Sequence, residues 1–216
     1  MNPAPYKTLM KRGEESFVIN KSRFIGQGAP VQSEEEALAF IRAIREKHHD
    51  ATHNCYAYVV GRNFGIMRYS DDGEPGGTAG LPMMEVLKAQ KVTDCAVVVT
   101  RYFGGILLGA GGLVRAYTQG AAAALRGAGV GTMYPTARYL VDLDYSLLGR
   151  AEHYLKDQPV RVEDKTFAEK VTLTLVVRQQ DEQAVMDGLT AATLGRAEPV
   201  RFEEFYLPWQ EPERDQ

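Results

Sequence analysis

The chain has 216 residues, a formal net charge of −3 and an ordinary balance of 44% hydrophobic to 25% charged side chains. That length fits one large or two small domains, and the composition is that of an ordinary folded protein rather than a disordered, fibrous or disulfide-stapled one. No apolar run approaches the ~20 residues of a membrane span, so no membrane association is expected, and Met1–Tyr6 (Met-Asn-Pro-Ala-Pro-Tyr) lacks a signal-peptide core.

In chain order, strands are expected near 16–20 and 23–29. A helix follows over 33–48, with Ser33 as N-cap, Glu36 completing a capping box and an apolar stripe of Ala37, Phe40, Ile41 and Ile44. Strands come next near 53–60 and 65–70. The loop Ser70–Gly77 leads to a helix over 79–90, for which Thr78 is a candidate cap. The Val-rich segment 94–101 reads as a strand buried on both faces, and the Ala-rich helix 112–127 as one on which something packs closely. Gly127–Pro135 (Gly-Ala-Gly-Val-Gly-Thr-Met-Tyr-Pro) has the composition of a stop and linker, which divides the chain into domains 1–132 and 133–216. Beyond it the order is strand 137–143, helix 146–156, strands 159–165 and 169–177, helix 181–194 and strand 198–206, with Gly195 ending the second helix. This β-α-β-β-α-β succession is the ferredoxin-like pattern.

Charge is unevenly shared. Residues 1–134 carry 15 Lys and Arg against 12 Asp and Glu, whereas 135–216 carry 10 against 16. A polyanionic partner therefore points to the first half.

Four constellations could carry chemistry. The first is the segment Thr100–Tyr117, where a strand ends at Arg101-Tyr102 and runs through Gly104, Gly105, Gly109, Gly111 and Gly112 into a helix. Glycines let backbone approach a ligand closely, and amides at a helix N-terminus form an anion cradle; a tightly packed corner is the alternative reading. The second, Arg68–Gly80, holds Asp71, Asp72 and Glu74, suited to acid–base work or to a charged turn. It contains no phosphate-binding P-loop signature. The third, Lys21-Ser22-Arg23, would gain meaning beside Arg68, Arg101 and Arg115 as a basic rim with aromatic neighbours. The fourth, His48–His53, reads as a helix end followed by His53 at a strand start. Cys55 and Cys95 lack metal-ligand spacing and read as buried apolar residues, so no metal and no cofactor is expected.

The segments Lys21–Ile25, Ala51–Tyr58, Ser70–Gly80 and Thr100–Tyr117 resemble, in that order, the motifs of the IMPACT family in its bacterial YigZ-like branch, over about residues 15–127. The resemblance implies an α+β protein. Its parts would be a two-layer α/β sandwich of the ribosomal protein S5 domain 2-like type and a ferredoxin-like βαββαβ domain. It also implies likeness to the fourth and fifth domains of translocation factor EF-G, and a cytoplasmic, non-enzymatic regulatory protein acting on RNA, the ribosome or a ribosome-associated protein.

On that reading Lys21, Arg23, Arg68, Arg101 and Arg115 contact phosphate or partner carboxylates. Tyr102 stacks and His53 hydrogen-bonds, while Asp71, Asp72 and Glu74 orient the arginines or repel wrong partners. His53, the carboxylates and Arg101 are then expected to share one mouth. The alternative is a hydrolase using His53 with Asp71, Asp72 or Glu74, with metal assistance.

Overall fold

A computed structural model describes residues 3–209. The chain forms two compact units, residues 6–132 and residues 133–209 with 3–5.

In the first unit, β1 (Tyr6–Leu9) places Leu9 in the core. It is absent from the sequence reading, since four residues are too few to show alternation. β2 (Gly13–Ile19) and β3 (Ser22–Pro30) form a hairpin whose two turn residues, Asn20 and Lys21, have φ of 46° and 65°. Positive φ at both central positions is the turn that matches strand twist. α1 (Glu34–Lys47) is followed by β4 (His53–Val60), β5 (Ile66–Ser70), α2 (Gly80–Gln90), β6 (Cys95–Tyr102) and α3 (Gly109–Ala128).

The sheet order is β2-β3-β6-β4-β5, antiparallel throughout. α1 buries its expected stripe of Ala37, Phe40, Ile41 and Ile44 against Ala29, Tyr58, Ala96 and Val98. α2 and α3 cover the opposite face, over Phe24, Cys55, Ala57, Val59, Val97 and Val99. β6 thus contributes to cores on both faces, as its valine run requires.

Close packing of α3 has a specific cause. A Cβ on Gly26 would lie 2.1 Å from the Gly120 carbonyl oxygen, and one on Gly120 would lie 2.7 Å from Val99. Only glycine lets helix and strand backbones meet there.

Several local expectations need correction. Ser33 caps α1, accepting from Glu36 N–H at 3.2 Å, but Glu36 reaches back to the Gln32 N–H rather than to that of Ser33. Thr78 does not cap α2; its hydroxyl donates to the Pro75 carbonyl at 2.6 Å. α3 begins at Gly109, so Gly109, Gly111 and Gly112 belong to its first turn and not to the preceding loop. The supposed linker is regular structure: α3 runs to Ala128, Gly129 turns with φ 71°, and β7 (Val130–Leu143) starts at once. Glycine composition signalled a turn, and one residue was enough to make it.

In the second unit β7 is followed by α4 (Tyr145–Leu155), β8 (Val160–Phe167), β9 (Val171–Arg178), α5 (Glu182–Ala192) and β10 (Glu198–Pro208). β10 pairs with β7, β7 with β9 and β9 with β8, all antiparallel. Numbered within the unit this is 4-1-3-2, the ferredoxin-like order. Val171, Leu173, Leu175 and Val177 alternate inward into one core with Ala151 and Leu155 of α4 and Val185 and Leu189 of α5. Leu194, one residue before the expected Gly195, already adopts a left-handed φ of 61°.

Candidate functional site

The ends of β4, β5 and β6 and the starts of α2 and α3 converge at one corner of the first unit. Register alone brings two predicted residues together, because His53 pairs with Arg101 across β4 and β6. The carboxylate loop between β5 and α2 closes over them. Arg101 Nη1 donates to Glu74 Oε1 at 2.7 Å, with both side chains almost wholly buried. The Tyr117 hydroxyl, from the third turn of α3, donates to the same oxygen at 2.7 Å. His53 Nδ1 lies 2.8 Å from the Asp72 carbonyl, and its Nε2 lies 3.8 Å from Glu74 Oε2. A carbonyl only accepts, so Nδ1 carries a hydrogen, and Nε2 faces the carboxylate. His53 and Arg101 therefore both lie within 4 Å of Glu74, in a largely buried cluster rather than the expected open mouth.

Arg101 is not available to phosphate. It is 5% exposed, is clamped by Glu74 and has its guanidinium 5.5 Å from the Phe24 ring centroid and 5.3 Å from that of Phe103. It is a buried brace that ties β6 to the carboxylate loop. Burial pushes the Tyr117 phenol far above its usual range, and the neighbouring Cys55 and Glu74 add to that shift. Tyr117 thus stays a hydrogen-bond donor. Its sequence position, on the apolar face of α3 with Leu113 and Ala116, gave no sign of this partner.

The other carboxylates are also committed. Asp71 accepts from the amides of Gly77 (2.9 Å), Ala79 (3.0 Å) and Gly80 (2.8 Å). It caps the start of α2 rather than orienting an arginine. Burial raises its pKa, but the amide bonds from Gly77, Gly80 and Ala79 together outweigh it and hold the carboxyl below its ordinary value. Asp72 accepts from the Asn54 amide at 2.6 Å and pairs with Arg45 at 2.6 Å. Arg45 was not singled out in the sequence, where it reads as a last-turn helix cation. Each acid of the loop thus has at least one partner, and among the described residues no group of three His, Cys, Asp or Glu side chains is placed to hold a metal.

Tyr102 is half-buried. Its hydroxyl donates to Asp50 at 3.0 Å and lies 2.9 Å from His48 Nδ1, so it braces the end of α1 instead of presenting itself for stacking. Burial, with Lys47 nearby, lowers the His48 pKa. On the same sheet face a buried chain runs from Gln27 Nε2 to the Thr100 hydroxyl (3.0 Å) and from that hydroxyl to Asn54 Oδ1 (2.7 Å). None of these three stood out in the sequence, because single polar residues inside apolar strands carry no pattern.

The glycine segment and its neighbours remain open. Gly104 fits where a Cβ would lie 2.0 Å from the Lys21 carbonyl carbon, and its amide donates to Ser22 Oγ at 3.1 Å. This locks the β2–β3 turn, with Lys21 and the adjoining Arg23, onto the start of the glycine segment. A Cβ on Gly105, Gly109 or Gly111 would meet nothing within 4 Å. α3 has no side-chain cap and no acid in its first turn. Ile106 and Leu107 are exposed, Leu107 to 85%. Lys21, Arg23 and Arg115 are exposed and enter no ion pair among the described residues. Arg68 stands apart on β5, three strand spacings or roughly 14 Å from β3.

The Impact N-terminal domain matches residues 20–125, the span that contains this corner, and a domain of unknown function, DUF1949, matches 141–196. The IMPACT family member YvyE of Bacillus subtilis is 41% identical over 202 residues, which cover 94% of this chain and 93% of that protein. The chain belongs to the IMPACT family. Escherichia coli YigZ, another member, is 43% identical over 139 residues, covering 63% of this chain and 68% of its own. A solved structure described as a hypothetical protein aligns with a TM-score of 0.59 at 32% identity, covering 93% of this chain and 98% of its own. Similarity to the Dictyostelium discoideum IMPACT homolog is confined to 99 residues, 28% of that protein.

Proposed function

We propose that this IMPACT family member is a cytoplasmic, non-enzymatic regulatory protein that binds RNA on the ribosome, and that the glycine corner of its first unit is the contact surface. The observation that carries the reading is the uncapped start of α3, where Gly109 and Gly111 face open space while Lys21, Arg23 and Arg115 enter no ion pair among the described residues. A phosphate there would meet backbone amides and the positive end of the helix dipole. These cations would neutralise neighbouring phosphates. Glu74, Arg101, Tyr117 and His53 hold the corner in shape; Asp71 fixes the adjacent helix start.

The test is co-sedimentation of the full chain with ribosomes at about 50 and about 200 mM salt, where phosphate-driven binding weakens steeply. The variant Lys21→Ala/Arg23→Ala/Arg115→Ala is expected to bind more weakly at the lower salt and to lose about three units of the log–log salt slope, one per phosphate contact. Equal association of the unaltered protein at both salts would overturn the reading.

A further inference from the structure

Strands at a sheet edge expose unpaired N–H and C=O groups, and proteins blunt them with charge, proline, bulges or a covering element. The edge strands β2, β8 and β10 are protected in this way. β2 carries Glu14 and Glu15, and Glu15 is tied to Arg126 of α3. β8 carries Glu163, Asp164 and Lys165 in succession and breaks register between Val162 and Asp164. β10 contains Pro199 and Pro208 and breaks register between Arg201 and Glu203.

The edge strand β5 carries only one of these devices, a single charge, and has no bulge. Its five residues, Ile-Met-Arg-Tyr-Ser, pair with β4 in unbroken register from Tyr56↔Ser70 to Val60↔Ile66. It has no proline, carboxylate or lysine. Arg68, its one charge, enters no ion pair among the described residues and turns back to donate to the carbonyl of Met67 at 3.1 Å. Register fixes which way the side chains point. Arg68 lies opposite Tyr58, on the α1 face, whereas Met67 and Tyr69 lie opposite Val59 and Ala57, on the α2–α3 face. Met67 is 41% and Tyr69 49% exposed.

We propose that the β5 edge receives an extended segment of a partner protein as an added strand, with apolar side chains toward Met67 and Tyr69 and acidic ones toward Arg68. Backbone pairing supplies the attachment and the alternating side chains the selectivity. The charge of Arg68 selects the acidic face. It also disfavours a second copy of this chain, since an antiparallel pair centred on the strand sets Arg68 against its own equivalent, and like charges directly opposite are destabilising. The proposal is independent of the RNA reading, which uses other residues at the opposite side of the sheet.

The test uses the full chain, isotopically labelled, and a capped peptide of alternating valine and glutamate long enough to span the five residues of β5. Saturable amide shifts and slowed hydrogen exchange at residues 66–70 are expected. Arg68→Glu should weaken that peptide about three- to tenfold and gain affinity for the valine–lysine counterpart. Tyr69→Lys, on the other face, should weaken both. Three results would overturn the proposal. They are no saturable shift on β5, binding indifferent to Arg68→Glu, and equal binding of a peptide with its glutamates grouped at one end.

Discussion

Removing Arg101 tests whether this residue is a brace. In Arg101→Ala the Glu74 carboxylate keeps only Tyr117 as a short hydrogen-bond partner and stays buried. Breaking a buried pair from one side costs about 3–5 kcal/mol, because the remaining charge has lost its compensation. Spread over the unfolding entropy of a unit of about 130 residues, this lowers Tm by about 10–20 °C. Glu74→Gln keeps an acceptor for Tyr117 but leaves the guanidinium buried without its counter-charge, so it should also destabilise. Arg101→Ala/Glu74→Gln removes both charges and should recover part of the loss, giving a coupling energy in a double-mutant cycle. Calorimetry and urea unfolding of the four proteins measure this directly. If Arg101→Ala melts within about 3 °C of the unaltered protein, the brace assignment is wrong. If it also loses ribosome association, Arg101 is a partner contact after all.

Asp71→Ala should cost about 1–2 kcal/mol, at the upper end of capping effects, because three amides lose their acceptor. The depressed pKa of Asp71 fixes the sign of its pH dependence. Its stabilisation is full above its unfolded pKa of about 3.9 and is lost as pH falls through the lower folded value, so acid unfolding of Asp71→Asn should be less steep in that range. Gly111→Ala should stabilise the fold by about 0.5–1 kcal/mol, since a Cβ there meets nothing, yet weaken ribosome binding if phosphate approaches that turn. Gly104→Ala should instead destabilise, its Cβ colliding with the Lys21 backbone. Burial raises both thiols, that of Cys95 to about 12, so neither should react with a thiol reagent at pH 8 until the protein unfolds.

How the sequence relates to this structure is clearest at α1, β6 and the Gly104–Gly112 segment. α1 was legible to within a residue at each end because Ser33 caps it locally and its apolar stripe repeats at helical spacing. β6 was legible because a valine run buried on both faces needs no alternation to be recognised. The ferredoxin-like order of the second unit followed from strand and helix succession alone, since short connections leave few topologies open. The loop-to-helix boundary before α3 was displaced by three residues, because glycine is equally at home in a turn and in an exposed first helical turn.

What the sequence by itself determined was which segments are strands and helices, β1 excepted, and which polar residues are uncommon enough to notice. Only tertiary structure decided what those residues do. Arg101, Glu74 and Tyr117 are separated by up to 43 positions and meet through β6, a loop and α3. An arginine that faces solvent and one that braces a corner have the same letter and the same local context. The difference lies in burial and in a partner brought by the fold, and both arise from long-range packing that no local pattern records.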